Sequence, residues 1–182
     1  MYGNWELSNK DLPEHFFSFS EAYIDSARRL CVVLKRSTRK ASYQRGCVVL
    51  YLTFHASELF LKGAILAKSP NEKLNHDLQG YYKRYNKLYP QKEYRFEIPF
   101  GTEYLGFEPE LIEQLKKQEL PQDQLHKYPT DKSGKKWEGA FAFEPIELLK
   151  TIEKLRDDFN AIENMILANH QHHRNPQRAR VR

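Results

Sequence analysis

Residues 42–68 read SYQRGCVVLYLTFHASELFLKGAILAK, and this stretch decides the fold. Val48, Leu52, Ala56, Leu59, Gly63 and Leu66 recur at helical spacing and form one stripe. Val49, Phe60, Ala64 and Ala67 add a second. A helix apolar on two sides is expected at the centre of its bundle. Ser42 suits its N-cap, and Ser69-Pro70-Asn71 stops it. His55, Glu58 and Lys62 interrupt the apolar run from Cys47 to Ala67, so it reads as a buried helix of a soluble protein rather than a membrane span.

Other helical periods flank this one. A first helix is expected from about Phe17 or Ser20 to Thr38. Ser20 would be its N-cap, with Glu21 and Asp25 near the positive end of the dipole. Ile24, Ala27, Leu30, Cys31 and Leu34 form its inner face. A third helix is expected to open at Asn75 as N-cap, with Leu78, Tyr81, Tyr82, Tyr85 and Leu88 facing inward, and to end before Pro90. Residues 91–107 read as an ordered loop, and a short helix follows near Pro109 with Leu111, Ile112 and Leu115 facing in. Residues 119–144 are irregular. A small β-hairpin pairing Leu125–Tyr128 with Lys135–Glu144, which holds Trp137, Phe141 and Phe143, is one reading. The last helix runs from Pro145 to about Asn169. These elements predict an all-α, up-and-down bundle of four to five helices with a long irregular insertion before the last. The chain reads as a single domain over residues 1–169, followed by a basic, flexible tail at 170–182.

The composition supports a folded body. Aromatic residues make up 13% of the 182, and disordered chains are poor in them. Residues 1–12 show no apolar signal-peptide core. Cys31 and Cys47 are too few for a disulfide framework and lack metal-site spacing, which fits reduced core thiols and a cytoplasmic location. The net charge of +5 is concentrated. Arg174, Arg178, Arg180 and Arg182 lie in the tail. A second basic run contains Arg28, Arg29, Lys35, Arg36, Arg39, Lys40 and Arg45 with no acid among them. Charge placed locally favours an anionic partner, so Arg28, Lys35, Arg36, Arg39, Lys40 and Arg45 are candidate phosphate or nucleic-acid contacts. Tyr43 and the tyrosines of the third helix offer faces on which bases could stack.

No complete catalytic, metal or phosphate-loop motif is present, so no catalytic residue, metal ligand or cofactor is assigned. His55, Glu58 and Lys62 share one helix face. A carboxylate beside an imidazole can orient it for acid–base chemistry; the plainer reading is a Glu58–Lys62 pair four residues apart that satisfies itself. His76 at a helix N-terminus could meet an anion, or could simply pack beside its capping neighbours. His170, His172 and His173 could hold a divalent metal, but read better as a solvated chain end.

Two segments together carry a family resemblance. Phe54-His55-Ala56-Ser57-Glu58-Leu59-Phe60-Leu61-Lys62-Gly63-Ala64, followed by Asn75-His76-Asp77-Leu78, resembles the HEPN family (higher eukaryotes and prokaryotes nucleotide-binding). Lys127-Tyr128-Pro129 resembles an Arg-Tyr-Pro stretch of some relatives, with Lys in place of Arg. The likeness spans roughly Ser20 to Ile166. It implies a compact bundle of four or five helices, commonly a homodimer. Many members are metal-independent ribonucleases that use an Arg followed four to six residues later by a His, and no such pair occurs in this chain. Relatives lacking the pair are expected to bind nucleotides, nucleic acid, or a protein partner such as a nucleotidyltransferase. The matching positions are His55, Glu58, Lys62, His76, Asp77 and Lys127, of which Glu58, Lys62 and His76 are expected to shape a polar pocket between helices, or simply to knit two helices together. The leading expectation is a non-catalytic, homodimeric binding module. A divergent, toxin-like ribonuclease using His55 or His76, and an oligomerisation scaffold without a ligand, are the alternatives.

Overall fold

The computed structural model describes residues 3–37, 39–98, 108, 110, 126–130, 133–136 and 143–174, with side chains described as far as Asn169. Among these residues the protein is all-α, with four α-helices: α1 (Leu12–Arg36), α2 (Tyr43–Lys68), α3 (Leu78–Leu88) and α4 (Pro145–Arg174). Short 3-10 turns lie at Asn4–Leu7 and Lys92–Tyr94.

The first helix begins earlier than its Ser20 signal indicated. Asp11 is the N-cap and forms a capping box with Glu14, whose Oε2 accepts from the Asp11 backbone N–H at 2.6 Å. Pro13 sits in the first turn, where its missing N–H costs nothing. Ser20 is instead buried mid-helix, and its hydroxyl donates to the Ala56 carbonyl at 2.8 Å. A cap-type residue here joins two helices rather than starting one. The start of α2 is as read, since the Ser42 side chain accepts from the Arg45 N–H at 3.4 Å. For α3 the cap is Asp77, not Asn75. Asp77 Oδ1 accepts from the Gly80 N–H at 2.9 Å, while Asn75 Oδ1 accepts from the Asp77 N–H one step earlier.

The helix directions follow from these contacts. α1 and α2 are antiparallel: Phe17 lies against Gly63, Ser20 meets Ala56, and Tyr23 meets His55. α4 is antiparallel to α1: Cys31 Sγ donates to the Pro145 carbonyl at 3.4 Å, Arg28 pairs with Glu153 at 3.0 Å, and Arg156 pairs with Asp25 at 2.9 Å. Segment 69–77 runs back beside α2, so that His76 reaches Glu58. α3 then climbs past Lys62 until the Leu88 carbonyl accepts from Lys68 Nζ at 2.9 Å.

From Thr53 to Leu66, α2 is buried almost all round, as its two stripes predict. Its first turns are more open: Val48 is 47% exposed. α2 is long and apolar enough to cross a membrane by length and composition, yet 67% of its most apolar stretch is buried within the bundle. Phe60 is the hub of the core. Its ring stacks on Phe159 with centroids 4.0 Å apart, meets Phe96 edge-on at 5.6 Å, and touches Phe17 and Tyr85. At Gly46 any Cβ would collide with the Phe143 ring, so the approach to α4 packs directly on the α2 backbone.

Among the described residues the region of the expected hairpin holds one antiparallel bridge, Thr130 with Lys136; Leu125 and residues 137–142 of that reading lie outside the described part. The chain turns there through Gly134, whose φ of 83° is left-handed and suits glycine. The short helix expected after Pro109 lies outside the described residues. α4 continues to Arg174, into the segment expected as a tail, and residues 175–182 lie outside the described part.

Candidate functional site

The helix face carrying His55, Glu58 and Lys62 becomes a polar cluster inside an apolar bundle. Glu58 and Lys62 are four residues apart on α2, and their side chains are only 6% and 8% exposed. Lys62 Nζ donates to Glu58 Oε1 at 2.5 Å and lies 5.5 Å from the centre of the Tyr81 ring. His76 Nδ1 stands 2.9 Å from the same Oε1, with its ring largely in solvent. His55 Nδ1 lies 3.8 Å from Oε2, an electrostatic contact rather than a hydrogen bond. Tyr81 holds the turn in place from the other side, its hydroxyl donating to the Asn75 carbonyl at 2.7 Å while also accepting from the Asn75 N–H.

Burial alone would push the Glu58 carboxyl up. His55, Lys62 and His76 more than offset it, and hold the group down at about 2. The sign of the pH effect follows. A carboxyl depressed in the folded state contributes stability that is complete above its ordinary 4.5 and fades as pH falls toward about 2. A depression of this size corresponds to roughly 3 kcal/mol. Glu58→Gln cannot titrate there. The stability gap between wild type and Glu58→Gln should therefore narrow between pH 5 and pH 2.5 in urea unfolding series, and a gap independent of pH would exclude this role.

Most of the cluster therefore faces inward and fastens segment 69–77 to α2. Its outer rim is different. The His55 ring meets Tyr23 of α1 edge-on at 4.6 Å and lies parallel to Tyr51 at 5.9 Å. Lys127 Nζ, from the far side of the sequence, stands 5.8 Å from the Tyr51 ring and 5.2 Å from that of Tyr128. Tyr23, Tyr51 and His55 are half-buried, and Lys127 and Tyr128 are exposed. The fold thus gathers His55, Glu58, Lys62 and His76 in one place and brings Lys127 to their edge. Asp77 stands beside the group but serves as the α3 cap. Neither Tyr23 nor Tyr51 was singled out from sequence. Tyr51 lies four residues before His55 on the same helix face, which was the available signal; Tyr23 had none, because it comes from another helix.

The basic run divides on folding. Arg28 pairs with Glu153 across the α1–α4 contact. Arg45 donates to the Lys40 carbonyl at 2.9 Å. Lys35, Arg36, Arg39, Lys40 and Arg45 are all exposed at the end of the bundle where α1 passes into α2. The α3 tyrosines turn inward instead of offering faces. Tyr85 donates to the Tyr94 carbonyl at 2.6 Å, Tyr82 to the Phe96 carbonyl at 2.5 Å, and Tyr81 to Asn75. Burial pushes the Tyr85 hydroxyl well above its ordinary value. Burial also raises the Cys31 thiol to about 11, which keeps it protonated and inert near neutral pH, and both cysteines are free. A cavity of about 180 Å³ lies elsewhere, between α2, α4 and the Lys92–Tyr94 turn, where Lys68, Gln91, Tyr94 and Asn169 supply polar atoms. It is assembled from several segments, and no local pattern announces it. No group of three or more potential metal ligands occurs among the described residues.

Compared with known proteins, the chain matches no family model, no curated protein and no solved structure.

Proposed function

We propose that this protein is a non-catalytic, HEPN-like binding module that recognises an anionic ligand carrying an aromatic base, a nucleotide or RNA. The observation that carries the reading is the rim at His55. The Tyr51 and His55 rings lie parallel, Tyr23 meets His55 edge-on, and the Lys127 ammonium stands over Tyr51. Bases stack on aromatic side chains without regard to sequence, and a nearby cation suits their phosphates. The exposed Lys35–Arg45 run lies toward the start of the same helix α2 and adds long-range attraction to a polyanion. The Glu58–Lys62–His76 clasp supports this arrangement from beneath. Glu58 and Lys62 satisfy one another, so their part is to hold the rim rather than touch the ligand. The module acts as a homodimer in the cytoplasm. A protein partner of nucleotidyltransferase type is the alternative occupant.

The test is a titration of purified protein with labelled RNA, and separately with ATP and GTP, at 50 and 200 mM salt, with the RNA run on a gel afterwards. Saturable binding of full-length RNA that weakens at least tenfold at the higher salt is expected. Tyr51→Ala should weaken binding about tenfold, since base–aromatic stacking is worth about 1–3 kcal/mol. Arg36→Glu combined with Arg39→Glu should flatten the salt dependence. Shortened RNA would identify a divergent ribonuclease instead. Absence of binding to all three would leave the protein partner.

A further inference from the structure

The cavity of about 180 Å³ at the far end of α2 is used by neither the clasp nor the rim. Lys68 lies 13 residues beyond His55 on that helix, which is about 20 Å at 1.5 Å per residue. Buried Tyr89, Tyr94 and Ile166 line the inner part, and exposed Lys68, Gln91 and Asn169 stand at the mouth. Three segments meet there: the end of α2, residues 89–94 after α3, and the α4 turn at residues 166–169.

The cavity offers donors beside an apolar wall. Lys68 Nζ gives one N–H to the Leu88 carbonyl at 2.9 Å and lies 4.4 Å from the centre of the Tyr89 ring. The carbonyl at the end of α3 thus holds the ammonium in place, and two of its three N–H groups remain to donate. The Tyr94 hydroxyl accepts from Asn169 Nδ2 at 2.9 Å, which leaves its own proton to give. The Tyr89 hydroxyl is already committed to the Ala64 carbonyl at 2.8 Å, so this residue contributes its ring. Ala67 and Ile166 complete the apolar part. No carboxylate stands among the described lining residues, so Lys68 meets no acid there.

We propose that this cavity binds a small organic carboxylate, its oxygens accepting from Lys68 Nζ and the Tyr94 hydroxyl and its apolar body lying against Tyr89, Ala67 and Ile166. A carboxylate only accepts hydrogen bonds, which matches these donors. A ligand ammonium would meet Lys68 and be repelled. An inorganic anion would leave the apolar wall unused, whereas small-molecule sites bury apolar surface and orient the ligand with a few polar groups. The volume is below the range of about 300–1,000 Å³ usual for drug-sized pockets, so the ligand is the size of a single ring. The carbonyl ends of α2 and α3 lie close by and carry partial negative charge, which holds the affinity for an anion down. This site uses none of the rim residues and stands whether or not the rim binds a nucleotide.

Benzoate is the probe, titrated into the full chain and followed by backbone amide shifts in heteronuclear NMR. Saturable shifts at residues 67–69, 89–94 and 166–169 are expected, with a Kd on the order of 1 mM. Benzamide has nearly the same shape without the charge and should bind about tenfold more weakly. Lys68→Met keeps the apolar stem and removes the ammonium. The side chain is exposed, so the fold should stand, and benzoate should bind about tenfold more weakly. Benzamide binding as tightly as benzoate, or benzoate binding undiminished in Lys68→Met, would overturn the carboxylate assignment. Shifts confined to residues 35–45 would give the anion to the basic run instead. No saturable shift would make the cavity a water-filled gap. Either result overturns the proposal. The RNA and nucleotide titrations report the rim separately, since Lys68→Met touches no residue of it.

Discussion

Glu58→Leu is expected to cost about 3–5 kcal/mol of folding stability, whereas Glu58→Leu combined with Lys62→Met should recover most of that loss. The asymmetry comes from burial. The Glu58 carboxylate and Lys62 ammonium are 6% and 8% exposed and 2.5 Å apart. Removing the acid alone leaves an ammonium in a nearly dry site, with the Tyr81 ring 5.5 Å away. The favourable attraction between the two barely exceeds the cost of taking both from water, so deleting both can be close to neutral. His76 adds a consequence. It reaches Glu58 from segment 69–77, and that segment should loosen in either variant. Urea unfolding of the two single variants and the double would measure the coupling directly. A loss below about 1 kcal/mol for Glu58→Leu would mean that water reaches the pair, as at an exposed ion pair.

Phe60→Ala should be similarly damaging, at about 3–5 kcal/mol. Phe60 is 1% exposed and lies where α1, α2, α3 and α4 meet. Its ring stacks on Phe159 at 4.0 Å and contacts Phe17, Phe96 and Tyr85. Its removal opens a cavity among packed rings, two of them anchored elsewhere. Tyr85 is tied to the Tyr94 carbonyl, and the chain at Phe96 accepts from the Tyr82 hydroxyl, so the gap cannot readily close. Phe60→Leu refills much of that volume and should cost less than half as much. Thermal unfolding of both variants checks the ordering, and equal losses would show that the ring contacts themselves, rather than the volume, dominate.

These two sites differ in how far the sequence exposed them. The Glu58–Lys62 pair was legible, because a separation of four residues on a helix fixes neighbours whatever the surroundings. The grouping of His76 with the pair between helices was expected from the resemblance, but that Tyr23 and Lys127 would stand around His55 was not legible. Those residues lie 18 or more positions away in sequence from their partners, and only helix packing brings them close. The family resemblance picked out His76 and Lys127 as positions without supplying the contacts each would make. Tyr51 was within reach of the same helix-face argument that found His55, since it lies four residues earlier on that face.

The sequence by itself determined the helices. Their periods gave α2 from Ser42 to Lys68, the inner face of α1, and the start of α4 at Pro145, because backbone hydrogen bonding and apolar spacing act over a few residues. The tertiary structure alone decided which polar groups are spent. Ser20 and Asn75 both looked like caps. Packing gave Ser20 to the Ala56 carbonyl, while Asn75 was tied to Tyr81 and Asp77 took the capping role. Arg28 read as a free cation until α4 brought Glu153 beside it. A side chain's local options follow from its neighbours in sequence, but its choice among them depends on the partner that another helix delivers.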